Sequence, residues 1–390
     1  MSRHHVHAFP ARMAPELALD KIELLTETGD TVLDPMCGSG TVVRLAAKEG
    51  RMAIGADLDP LAVLITRTSC KPNWSVGLQD RAADVARRAG RLGATLPAWI
   101  DGDAETAKFV RYWFAEPQRS DLSRLARVLI DAPRTDDPLR VVLSRVIVTK
   151  DGGASLARDT AHSRPHRVRD ENDYDVFTEY VKAAKRLESL LLAADEPHLR
   201  VSVRRDDARS LTFVKAASVD LVVTSPPYLN AIDYLRGHRM SLVWMGWTVG
   251  ELRALRGEAV GAERGLDSAT EAIHRVAAAA IERMADLPAR RQRMVLRFTR
   301  DIDRLTKSLA RVIQPNGHLV MVVADSQLAG VPISNSAICA ITAARHGFRL
   351  IDEALRPLPT RHRYLPPPST TTTALAQRMK EEIVFTFARR

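Results

Sequence analysis

Thr224-Ser225-Pro226-Pro227-Tyr228 follows an apolar run, Leu221-Val222-Val223, that reads as a buried strand. Two successive prolines remove two backbone donors and stiffen the chain. The turn then presents a hydroxyl, two unengaged carbonyls and an aromatic ring. Such groups suit a flat heterocycle carrying an exocyclic amine, with acceptors for the amine hydrogens and a ring to stack against. A rigid strand-end turn with Tyr228 filling core is the plainer alternative. A second candidate is "LDPMCGSGT" (33–41), where Gly38 and Gly40 stand between a strand and a helix. Glycines there permit a tight turn and let a ligand approach backbone N–H groups at a helix start. Asp57 ends the next strand in "AIGADLDPLA" (53–62), where a carboxylate can bind both hydroxyls of a ribose. Val43 occupies the third glycine position of the dinucleotide fingerprint, which disfavours NAD or FAD and favours a smaller nucleoside cofactor.

The elements that must position these residues form a rhythm. "DTVLDPMCGSGTVVRLAAKEG" (30–50) and "RMAIGADLDPLAVLITRTSC" (51–70) each read as strand, turn and helix. "HLRVSVRRDDARSL" (198–211) and "SVDLVVTSPPY" (218–228) add two strands, and "DIDRLTKSLARVIQPNGHLVMVVADS" (301–326) a helix and a fifth. "GFRLIDEALRP" (347–357) and "EEIVFTFARR" (381–390) are strand-like, with too little between them for a crossover helix. Alternating strands and helices predict a parallel α/β sheet, here with an antiparallel edge pair. Two stretches break the rhythm, at about 75–197 and about 230–300, and both read as largely helical insertions.

Composition narrows the function classes. Lys plus Arg number 57 against 47 Asp plus Glu, a net charge of +10. "PARRQRMVLRFTR" (288–300) carries five arginines and no acid, a surplus that attracts nucleic acid when a site lies nearby and is otherwise a solvated helix face. Cys37, Cys70 and Cys339 are too few and scattered for a disulfide framework or a zinc cage. His4, His5 and His7 have no partner cluster, so no metal is expected. No apolar run approaches the roughly 20 residues that span a bilayer, and the N-terminal residues lack the apolar block of a secretory signal. A cytoplasmic protein without a membrane partner is expected. The stripe of Leu242, Trp244, Met245 and Trp247 reads as core.

With "FPARMAPELALDKIELLT" at 9–26, the glycine turn, "AIGADLDPLA" and "TSPPY" together, the chain resembles the DNA amino-methyltransferases that act on cytosine N4 or adenine N6. The resemblance covers residues 7–70, 199–236 and 301–356, and neither insertion. It implies a Rossmann-like seven-stranded sheet, mostly parallel, and S-adenosylmethionine as cofactor. It implies that Phe9 and Pro10 close over the methionine end, that Asp34, Gly38, Gly40 and Thr41 line it, that Asp57 takes the ribose, and that Asp207, or its neighbour Asp206, stands near the adenine. Ser225, Pro226, Pro227 and Tyr228 would form the catalytic turn, and a serine at its first position is more common among the N4-cytosine enzymes. Arg236, His238, Arg290, Arg291 and Arg293 are the expected nucleic-acid contacts. Cys37, preceded by Met36 and not proline, lacks the setting of a C5-methylating nucleophile and reads as packing.

The expected organisation is a cofactor-binding half at 1–74, an insertion at 75–197 as candidate target-recognition region, and a catalytic half at 198–390 interrupted at about 230–300. The expected substrate is double-stranded DNA, with a cognate restriction endonuclease as a further partner. An RNA amino-methyltransferase could hold its base in the same turn, although no appended RNA-binding module is recognisable. A silent nucleic-acid-binding homologue is the third reading, and intact Gly38, Gly40, Asp57 and the Ser-Pro-Pro-Tyr turn argue against it.

Overall fold

A computed structural model describes residues 6–9, 12–149, 152–158, 165–193, 200–229, 234–262, 265–266, 268–357 and 381–390. Seven strands form one sheet: β1 (Thr31–Asp34), β2 (Met52–Asp57), β3 (Val201–Arg205), β4 (Val219–Thr224), β5 (Ile313–Val323), β6 (Phe348–Pro357) and β7 (Glu381–Arg389). Their order across the sheet is β6-β7-β5-β4-β1-β2-β3. Neighbours from β3 to β5 pair in parallel, whereas β7 runs antiparallel to both β5 and β6. The expected antiparallel edge thus results from inverting β7 alone, between β5 and the edge strand β6. β1 and β4 are buried along nearly their whole length, as strands covered on both faces must be.

Helices α1 (Pro15–Leu25), α2 (Thr41–Lys48) and α3 (Pro60–Cys70) flank the first two strands. Pro15 and Pro60 sit at helix starts, where a missing N–H costs nothing, and the Asp59 carboxylate caps α3 by accepting from Leu61 N at 2.9 Å. One face of the sheet packs Val32, Val223 and Val320 against Ala18, Ile22, Val42 and Ala46. The other packs Leu33, Val222, Leu319 and Met321 against Ile302, Leu305, Leu309 and Ile338. These last residues come from α12 (Ala289–Val312) and α13 (Asn335–Arg345).

Between α3 and β3 lie α4 (Leu78–Gly90), α5 (Ala104–Trp113), α6 (Glu116–Leu129), α7 (Asp137–Ile147) and α8 (Val176–Leu192). Between β4 and α12 lie α9 (Tyr234–Leu242), α10 (Val249–Glu258) and α11 (Glu271–Ala280). A single core joins α4–α8 to α9 and α10, with Leu122, Tyr180, Met240, Trp244 and Leu252 buried together. The second interruption is therefore divided in space. Its first half completes the helical core, while α11 packs Ile273 and Ala277 against α12 on the sheet side.

Candidate active site

The glycine turn leaves β1 at Asp34 and enters α2 at Thr41. Gly40 has φ +81° and Gly38 φ +49°, the left-handed region that glycine enters freely. Added side chains would collide: a Cβ at Gly40 would stand 2.9 Å from Thr66, and one at Gly38 would stand 3.1 Å from the Phe9 ring. Phe9 thus lies directly against the turn. Asp57 ends β2 beside it, accepting from Gly38 N on Oδ2 and from Asp59 N on Oδ1, each at 2.9 Å. Each oxygen keeps a second lone pair for a hydroxyl. Asp34 accepts from Met36 N at 3.1 Å and faces the Thr224 hydroxyl. Burial raises both carboxyls to about 7; the Asp59 charge adds to the rise at Asp57, and the Asp57 charge to that at Asp34. A cradle tolerating no side chain, a carboxylate with free lone pairs and an apolar ring fit an adenosyl-type cofactor.

The proline turn begins one strand away. β4 pairs with β1 in parallel, Leu33 against Val222, so the two turns leave the same sheet edge side by side, about 5 Å apart in the hydrogen-bonding direction. Pro226 is buried, and Ser225, Pro227 and Tyr228 are half-buried. The Tyr228 phenol meets the Ser225 hydroxyl and the Glu382 carboxylate of β7. Glu382 is in turn held by Arg356 at 2.8 Å. Burial and Glu382 drive the phenol well above its ordinary value, so it stays protonated. Leu229 anchors the turn's far end: its carbonyl accepts from Ser326 Oγ at 3.0 Å, and its N–H donates to Asn335 at 3.4 Å.

Other expected residues fall in three places. Asp207 follows β3 and is held in a fork by Arg209, with contacts of 2.6–3.1 Å, and Arg209 also reaches the wholly buried Asp301 of α12 at 3.1 Å. Arg236 is exposed on α9, as are Arg290 and Arg293 on α12, whereas Arg291 folds back to Met294 Sδ at 3.4 Å. Pro10 lies outside the described residues. His238 is not on the surface expected of a nucleic-acid contact: it is 5 % exposed and pairs with Asp59 at 2.5 Å. Its place on α9, between the helical core and α3, turns it inward.

Asp59, Arg209, Arg356 and Glu382 also support the site and are not among the residues expected from the sequence. Asp59 carried a visible signal, an aspartate before a proline at a helix start. Glu382 carried none, because its relation to Tyr228 exists only across the sheet. The N-terminal segment is clasped too: His7 Nε2 lies 2.8 Å from Ser144 of α7, whose hydroxyl donates to Ser241 of α9 at 2.8 Å. Among the described residues no group of three His, Cys, Asp or Glu could hold a metal, and no helix is long and apolar enough to cross a membrane.

Comparison with known proteins reaches the N-terminal motifs, Phe9 to Asp57. A profile of the N6 and N4 methyltransferases, described as DNA methylase, matches residues 1–67. The chain is 23% identical over 262 residues to the Type II methyltransferase M.BsoBI of Geobacillus stearothermophilus, covering 58% of this chain but only 49% of that protein. It is 19% identical over 389 residues to the Type II methyltransferase M.MvaI of Kocuria varians, covering 92% of this chain and 84% of that one. Solved structures align along most of the chain at low scores. The rRNA methyltransferase aviRa of Streptomyces viridochromogenes gives a TM-score of 0.35 at 12% identity, covering 100% of this chain and 90% of that chain. A SAM-dependent methyltransferase of Methanosarcina mazei gives 0.36 at 9%, covering 97% and 99%. Scores that low add nothing to the strand order. With the N-terminal motif block, the seven-stranded order and the two curated relatives in agreement, the chain is similar to the DNA amino-methyltransferases, a family whose cofactor is S-adenosylmethionine.

Proposed function

We propose that this protein is a site-specific DNA methyltransferase acting on an exocyclic amine of a base rotated out of the duplex, cytosine N4 in preference to adenine N6. The observation that carries the reading is the adjacency of β1 and β4, which sets the glycine turn beside the Ser-Pro-Pro-Tyr turn. Phe9, Asp34, Gly38, Gly40, Thr41 and Asp57 hold the cofactor, with Asp207 at its adenine, and the cofactor supplies an electrophilic methyl group on a sulfonium. The Ser225 hydroxyl and the Pro226 carbonyl accept the two amine hydrogens. That draws the nitrogen toward tetrahedral geometry and frees its lone pair from the ring. Methyl transfer to that nitrogen would release the sulfur as a neutral thioether, with one amine proton passing to solvent.

Orientation supplies most of the acceleration, and well-placed reactants gain roughly 7–11 kcal/mol this way. Tyr228 stacks on the extruded base, with Glu382 and Arg356 behind its hydroxyl. Arg236, Arg290, Arg291 and Arg293 contact the phosphates, and the helical segment at 75–197 reads the target sequence. The preference for cytosine rests on serine at the head of the turn. A cognate restriction endonuclease and a cytoplasmic location belong to the same reading. Expression in a methylation-free host, followed by sequencing of modified bases, tests it. N4-methylcytosine at one recurring sequence is expected, absent with Ser225→Ala. N6-methyladenine would move the assignment to the other base, and an unmodified genome would reject the reading.

A further inference from the structure

Asp59 and His238 meet from positions 179 residues apart, Nδ1 to Oδ2 at 2.5 Å. Both side chains are more than nine-tenths buried. His238 Nε2 has no hydrogen-bond partner among the described residues, so Asp59 is the ring's polar anchor. A buried pair of this kind adds little net stability, because desolvation offsets its attraction. Its neighbours are more telling. Asp59 touches the cofactor acid directly, its N–H donating to Asp57 Oδ1 at 2.9 Å, while its own Oδ1 caps α3. The Phe9 ring centroid is 5.3 Å from that of His238, and the same ring covers Gly38. Gly38 N closes the circuit onto Asp57 Oδ2. One imidazole therefore touches Phe9 directly and reaches Asp57 and Gly38 through Asp59 and Phe9. It stands on α9, which begins five residues after Leu229 at the end of the proline turn.

Resting on the cofactor site proposed above, we infer that His238 is a positioning residue for S-adenosylmethionine: through its bond to Asp59 it fixes the loop carrying Asp57 and seats Phe9 on the glycine turn. It also ties that loop to the helix leading from the amine-gripping turn, so the two halves of the site share one anchor. Without the imidazole, Asp59 becomes a buried carboxylate with an unpaired oxygen. The loop then moves to let water reach that oxygen, and Asp57 moves with it.

Calorimetric titration of the full-length protein with S-adenosylmethionine tests this, using His238→Ala, His238→Asn, Asp59→Asn and Asp57→Ala. Asparagine can place its amide N–H where Nδ1 stood. His238→Ala is expected to weaken cofactor binding roughly tenfold, the size of one lost charge-assisted hydrogen bond, with the KM for cofactor rising by a larger factor than kcat falls. His238→Asn is expected to recover most of that loss. Asp59→Asn, which keeps a helix cap, covers the case in which His238→Ala does not fold and is expected to weaken binding several-fold. Unchanged affinity in His238→Ala with affinity lost in Asp57→Ala would overturn the inference and leave the site standing. Equal losses in His238→Ala and His238→Asn, or a fall in kcat alone, would overturn it as well. A parent protein that does not bind the cofactor would remove both.

Discussion

Replacing Gly40 with alanine tests the cradle at its tightest point. Two costs add there. The residue sits at φ +81°, and an L-residue in the left-handed region costs roughly 1–2 kcal/mol. The new Cβ would also stand 2.9 Å from both Cγ2 and Oγ1 of Thr66 and 3.1 Å from Ser69 Oγ. Neither neighbour can yield easily, since Thr66 is wholly buried and its hydroxyl donates to the Gly38 carbonyl at 3.1 Å. Overpacking of this kind costs about 1–3 kcal/mol. Gly40→Ala should therefore lose about 2–5 kcal/mol in urea denaturation, together with most cofactor affinity, because relief of the clash pushes the turn into the space a ligand needs. Gly29→Ala is the internal control. It shares the left-handed backbone at φ +97° but meets nothing within 4 Å, so it should show the backbone cost alone. In a double-mutant cycle, Thr66→Ala should recover the steric part, a coupling of about 1–3 kcal/mol. A Gly40→Ala protein no less stable than Gly29→Ala, or a cycle without coupling, would refute the packing argument.

Asp57 stands at about 7, and in the proposed function it takes a ribose as a carboxylate, so cofactor affinity should rise between pH 6 and pH 8, and Asp57→Asn should flatten the profile in calorimetry. Stability of the ligand-free protein should move the other way. Asp34 and Asp57 both bind protons more tightly folded than unfolded, so their contribution is full below about pH 4 and is lost as pH rises through 7, measurable as a falling urea midpoint. Ser225→Ala should lower methyl transfer by about 10- to 100-fold, the scale of a hydrogen bond to a developing charge, and leave cofactor affinity unchanged; equal losses in both would contradict the role given to the turn. DNA binding should weaken steeply with salt, and replacing Arg290 and Arg293 by alanine should reduce the log–log slope by about 2, close to one per phosphate contact. Arg291→Ala should change the slope less, since that side chain lies against Met294; a slope unaffected by any of the three would place the phosphates elsewhere.

Local chemistry was legible in the residues themselves. Glycines at 38 and 40 specify a turn that only a missing Cβ allows, Asp59-Pro60 marks a helix start, and Pro226-Pro227 stiffens whatever follows β4. Each acts within a few residues, through backbone sterics or a missing N–H, so the residue types alone imply the conformation. Alternation of apolar runs with amphipathic helices was enough for a parallel sheet, because a strand covered on both faces has to be apolar throughout.

What the tertiary structure decided is everything that depends on which apolar surface finds which. The adjacency of β1 and β4 joins residues nearly 190 positions apart, Leu33 to Val222, and no local rule selects that pairing over others. The same holds for the core shared by α4–α8 with α9 and α10, since an amphipathic helix announces a buried face and not its partner. His238 shows the limit most plainly. Between Gly237 and Arg239 it reads as one more polar residue, yet it is buried against Asp59 because α9 is sandwiched between α3 and α7. An antiparallel edge was legible in the short connection between the last two strands, but the seat of β7 between β5 and β6 was not, and that seat is what brought Glu382 to Tyr228.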